Sequence, residues 1–163
     1  MAIARSTFAA SVNSRSNFDR LLRAILESHF QRLSKGQEKL HTSLLNVTLK
    51  GLAIRHDLCC ALNLIGRETR DGISQMRTVR IDCAHEEIFK AITTDHVNGL
   101  RGACPTLAKK VKPSNSLSRT AKAHPELKWS PQRVQLMDIA THLHAILANS
   151  LVAIRSGLPF QRV

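Results

Sequence analysis

Apolar positions recur at helical spacing through most of the chain. Phe18, Leu21, Leu22, Ile25, Leu26, Phe30 and Leu33 share one helix face, with Arg20, Arg23, Glu27 and Arg32 off it. Ser16 or Asn17 caps this helix, Asp19 meets the positive end of its dipole, and Gly36 stops it. The predicted element is a helix over 17–35.

Leu40, Leu44, Val47, Gly51, Ile54, Leu58, Ala61 and Ile65 follow in steps of four and three. That is a heptad seam, and it predicts one helix over 38–65. Leu45, Leu49, Leu52 and Leu62 widen the stripe, as a helix with two neighbours requires. Gly51 either admits a close neighbour or marks a break. From Gly66 to Asp82 polarity rises, while Ile73, Met76 and Val79 keep a three-residue rhythm. This reads as a continued or restarted helix with a charged face. Ile88, Phe89, Ile92 and Val97 mark another helix near 84–98, ended by Gly99 and Gly102.

The C-terminal helix has the fullest set of local signals. Ser130 caps it and Pro131 takes its first position, where a missing N–H is no loss. Leu136, Ala140, Leu143, Leu147, Ser150 and Ile154 form a second heptad seam. Arg155 suits the last turn and Gly157 the C-terminal cap. The predicted helix covers 131–156.

The fold class that follows is all-α: a helical bundle of four to five helices without a sheet. A long basic, Pro- and Ser-containing connection precedes the last helix. The expected organisation is a basic N-terminal arm, 1–16, and a single helical domain, 17–163, with the connecting segment at 105–130. Structureless connections of that length are uncommon in compact domains and tend to be functional or disordered.

Composition narrows the function. At 163 residues and 43% apolar, the chain suits one folded domain. Aromatics are only 4%, which disfavours the base-stacking platforms of RNA-binding sheets and OB-folds. The net charge is +12, unevenly placed. Residues 1–50 hold eight bases and three acids; 51–100 hold six and seven; 101–163 hold ten and two. Two basic ends around a near-neutral body point to a polyanion.

The cations expected at that surface are Lys109, Lys110, Lys112, Arg119, Lys122, Lys128 and Arg133 along the connection and into the last helix. Arg15, Arg20 and Arg23, with Arg32, supply a second patch. The N-terminus of the last helix adds free N–H groups. Catalytic motifs are missing: no Gly-x-Ser-x-Gly elbow, Gly-rich phosphate loop, His-Glu-x-x-His or Asp-x-Asp pattern occurs. His56 with Cys60, and Cys83 with His85, are zinc-like pairs that lack a Cys-x-x-Cys. No metal, cofactor or small-molecule substrate is expected, and Cys59, Cys60, Cys83 and Cys104 read as free thiols. The stretch Leu136–Ile154 holds Asp138, His142, His144 and Asn149, so no membrane span is expected.

The expected function is a non-catalytic, basic helical subunit that binds RNA or DNA backbone beside other protein subunits. The alternative is a protein–protein assembly, adaptor or inhibitor subunit that packs on partner helices or an acidic surface. The expected location is cytoplasmic or nucleoprotein-associated. Arg5, Arg15 and the acid-free Ala/Ser composition before Asp19 make the mitochondrial matrix the alternative.

Overall fold

The computed structural model describes residues 2–33, 36–49, 51–84, 92–111, 122 and 130–157. Among them the fold is all-α, with no strand. The elements are α1 (Ala2–Leu33), α2 (Glu38–Ser43), a π turn (Leu44–Thr48), α3 (Leu52–Ala61), α4 (Arg67–Ala84), α5 (Thr94–Ala103), α6 (Pro105–Lys110) and α7 (Pro131–Ser156). One core joins them, built on Leu22, Ile25 and Leu26 of α1, Ile73 of α4, Leu100 of α5 and Leu143 and Leu147 of α7. The most extensive packing is between α1 and α7.

The expected start of α1 at Ser16–Asn17 is not observed, because the helix runs back to Ala2. Residues 2–16 contain neither Gly nor Pro, so nothing local stops propagation beyond a good capping residue. The apolar face of α1 lies where its spacing puts it, with Phe18, Leu22, Ile25 and Leu26 buried. On α7, every member of the expected seam is buried. Ser130 Oγ accepts from the Arg133 N–H at 3.2 Å, and Gly157 caps the helix with φ +70°.

The single helix expected over 38–65 is corrected. It divides into α2, the π turn and α3, with Gly51 extended (ψ 137°) at the break. A π turn takes an extra residue per turn, and an extended residue resets the helical phase, so a heptad count cannot pass through both. The expected seam is largely outside: Leu40 is 55% exposed, Val47 73% and Ile54 49%. The interior instead receives His41, Leu45, Leu52, Arg55, His56 and Cys59.

Arg55 is the keystone of this region. Its Nη1 donates to Asp19 Oδ1 of α1 at 2.6 Å. Its Nε donates to the Leu49 carbonyl at 2.7 Å and Nη2 to the Leu45 carbonyl at 3.3 Å. One buried guanidinium thereby donates to two carbonyls in and just after the π turn, and its charge is balanced by a carboxylate. Beyond α3, Asn63 takes a left-handed conformation (φ 55°), which asparagine tolerates better than most residues. Arg70 then ties α4 to α3 through Asp57 Oδ1 at 2.7 Å.

The expected helix at 84–98 is also corrected. Residues 85–91 lie outside the described residues, and α5 starts after the Thr93 cap, later than expected. Thr93 and His96 exchange bonds, Thr93 N–H to His96 Nδ1 at 3.1 Å and His96 N–H to Thr93 Oγ1 at 3.3 Å. Gly99 and Gly102 lie inside α5 and do not end it. The interruption comes at Cys104 (φ −137°), the residue before Pro105, where the proline ring disfavours helical backbone. Gly72 on α4 admits close approach of α7: a Cβ there would lie 3.1 Å from both methyls of Leu143.

By length and composition α7 could cross a membrane, and part of it is buried in this fold. Its Asp138 is 3% exposed.

Candidate nucleic-acid interface

The start of the expected basic connection is ordered. Pro105 opens α6, and Glu68 of α4 reaches across to cap it. Glu68 Oε2 accepts from the Thr106 N–H at 2.9 Å and the Leu107 N–H at 3.3 Å, and Oε1 accepts from the Thr106 hydroxyl at 2.6 Å. The Thr106 bond, more than any other contact, holds the Glu68 carboxyl below its usual range. A carboxylate at a helix N-terminus meets free N–H donors and the positive dipole end. Leu107 anchors the other face in the core. Lys109 and Lys110 then project from the last turn, both exposed. Neither has a carboxylate within ion-pair distance among the described residues.

The other expected contacts separate. Lys122 is exposed, while Lys112, Arg119 and Lys128 lie outside the described residues. Arg15 falls within α1. Arg20 is exposed on the same helix. Arg23 is engaged at 2.7 Å by Glu27, one turn on. Arg133 is only 8% exposed, and burial lowers the pKa of its guanidinium. It does not share the solvent-facing surface of Lys109 and Lys110. One N–H at the start of α7, that of Arg133, is taken by Ser130.

The thiols and imidazoles form no metal cluster among the described residues, and His85 lies outside them. Cys59 and Cys104 are free and buried; burial pushes their pKa values up to about 12 and about 11. Thiols held protonated in this way are weak nucleophiles and weak ligands. His56 is 3% exposed, its Nδ1 3.2 Å from Asp57 Oδ1 but out of line for a hydrogen bond. Burial lowers its pKa below the ordinary 6.5, against the opposing pull of Asp57 and with help from Arg70 and Arg77.

That shift has a sign for stability. The folded state disfavours the proton that the unfolded state takes up below pH 6.5, so stability falls as pH drops from 6.5 toward the lowered native value. Urea midpoints of wild type and His56→Gln at about pH 7.5 and about pH 5.5 test this. The wild type is expected to lose more stability over that interval than the variant; equal losses would contradict a buried neutral His56.

Sequence reasoning missed the interior role of Arg55. The available signal was its position between the apolar residues Leu52, Ile54, Leu58 and Cys59. It also assigned Leu40, Leu44, Val47 and Ile54 to a packed seam, whereas the structure exposes them. Comparison of the chain with protein-family models, curated proteins and solved structures finds no match.

Proposed function

We propose that this protein is a non-catalytic, basic helical subunit that binds the phosphate backbone of RNA or DNA within a larger nucleoprotein assembly. In this reading the helices form a bundle of four to five main elements. The segment 105–130 acts as its basic contact arm, starting at the α6 lysines. The supporting observation is the pair Lys109–Lys110, exposed at the end of a helix whose other end is capped by Glu68 and whose apolar side is anchored by Leu107. No carboxylate lies within 4.0 Å of either among the described residues, and the chain's uneven excess of +12 has the matching sign. No cofactor, small-molecule substrate or membrane contact belongs to this reading. Its setting is cytoplasmic or nucleoprotein-associated, with the mitochondrial matrix as the alternative.

The test is a binding titration of the full chain against single-stranded RNA and duplex DNA of mixed sequence, each about 20 nucleotides or base pairs, at about 50 mM salt. Binding with little sequence preference is expected. No binding to either would contradict the reading.

A second reading is favoured by one specific observation. Leu40, Leu44, Val47 and Ile54 are exposed on α2, the π turn and α3, apolar side chains of the kind a partner protein covers. In that case the protein is an assembly or adaptor subunit, and its complex is nearly indifferent to salt where backbone binding is not.

A further inference from the structure

The last turns of α1 and α7 lie side by side, and each carries an arginine. Arg32 Nη1 of α1 donates to the Ile154 carbonyl of α7 at 3.1 Å. In the opposite direction, Arg155 Nε of α7 donates to Ser28 Oγ of α1 at 3.3 Å. The two side chains cross, and with Ser28 and Gln31 they line one open cleft of about 610 Å³.

A strap between two helices accounts for one donor of each guanidinium. It does not account for two cations in one cleft. Among the described residues no carboxylate lies within 4.0 Å of either arginine. Each helix C-terminus supplies about half a negative charge, so the two ends offset about one of the two positive charges. Among the described residues about one unit remains uncompensated, with two guanidinium forks held against each other's helices. His29 adds no third cation: burial first and the Arg32 charge second lower its pKa, so its ring is neutral at pH 7. The Ser28 hydroxyl and the Gln31 amide complete a lining that can donate hydrogen bonds.

We propose that the Arg32–Arg155 cleft is a binding site for a phosphate group. Arginine forks match the oxygen spacing of phosphate and bind it in a bidentate manner, which a lysine point charge cannot do. A phosphate bridging the two arginines relieves their repulsion and fixes the end of α1 to the end of α7. The phosphate belongs either to a small phosphorylated compound or to a nucleic-acid backbone, because both present the same oxyanion. This site is independent of Lys109 and Lys110 and does not rest on the nucleic-acid reading.

The test follows the arginine Nε–Hε signals of the full chain by NMR while inorganic pyrophosphate is added at constant ionic strength. Arg32→Lys and Arg155→Lys assign the two signals and keep the charge; Arg67→Gln, exposed at the start of α4, is the control outside the cleft. The Arg32 and Arg155 signals are expected to shift together and saturate with a Kd of about 1 mM or tighter. Either lysine variant is expected to weaken binding about tenfold, and Arg67→Gln to leave it unchanged. Failure of the two wild-type signals to saturate would overturn the proposal, as would equal affinity in Arg155→Lys. A short single-stranded RNA then separates the sources. Displacement of pyrophosphate from the same signals identifies a backbone phosphate; saturation by pyrophosphate without such competition identifies a free phosphorylated compound.

Discussion

Arg55→Ala is expected to lower the unfolding free energy by about 3 kcal/mol, a large share of what holds a domain of this size together. The guanidinium is 5% exposed and donates to three acceptors on two separate segments. Truncation leaves the Leu45 and Leu49 carbonyls without that donor beside the π turn and opens a cavity among the neighbours of Leu45. Desolvated carbonyls without partners cost about 1–3 kcal/mol each. The Asp19 side chain is 36% exposed, so water screens its loss. Asp19→Asn is accordingly expected to cost only about 1 kcal/mol. Urea denaturation followed by circular dichroism measures both. A loss below about 1 kcal/mol for Arg55→Ala would mean that the π turn does not need its donors.

Leu45→Asp and Leu44→Asp are expected to differ sharply although the residues are adjacent. Leu45 is fully buried beside Arg55, whose guanidinium is already committed to Asp19 and to two carbonyls, so a carboxylate there is desolvated and competes with those bonds; the expected cost is several kcal/mol, enough to unfold the chain. Leu44 is 37% exposed, and its variant is expected to change stability by less than about 1 kcal/mol. Thermal melts of the two proteins decide the register. If Leu44→Asp unfolds the chain and Leu45→Asp does not, the heptad seam holds and the interior described for α2 and the π turn is wrong.

That pair also shows where sequence reading runs out. The boundaries and buried face of α7 are legible because Ser130, Pro131, the Leu136–Ile154 seam and Gly157 are local signals that agree. The seam through Leu40, Leu44, Val47 and Ile54 is equally regular, yet it misleads. Its period assumes unbroken α-helix, and the chain departs from that twice, at the π turn and at Gly51. The face that goes inside carries Arg55 and His56, which polarity counts against burial. Arg55 is an interior residue because the Leu45 and Leu49 carbonyls and Asp19, 36 residues away, meet around its guanidinium. Among the candidate contacts, Lys109 and Lys110 are legible as surface cations. Arg133 reads the same way, but packing at the start of α7 buries it. Arg32 and Arg155 are each recognisable as last-turn cations that suit a helix dipole. Their meeting in one cleft depends on how α1 packs against α7, which no local pattern encodes.

The most direct test of the proposed function is the salt dependence of nucleic-acid binding by the wild type and by the triple variant Lys109→Ala, Lys110→Ala, Lys112→Ala. Lys109 and Lys110 end α6 beyond its buried anchor Leu107, so their removal is expected to leave the helical fold intact. Flexible lysines contact phosphates as point charges and read no base edges, so affinity is expected to fall about equally for every sequence. Each lost contact removes about 0.7 to 0.9 from the slope of log affinity against log salt. The account predicts a slope shallower by about 2 to 3 units in the triple variant, with unchanged far-UV circular dichroism. A slope equal to that of the wild type would contradict it, because these lysines would then not touch the polyanion.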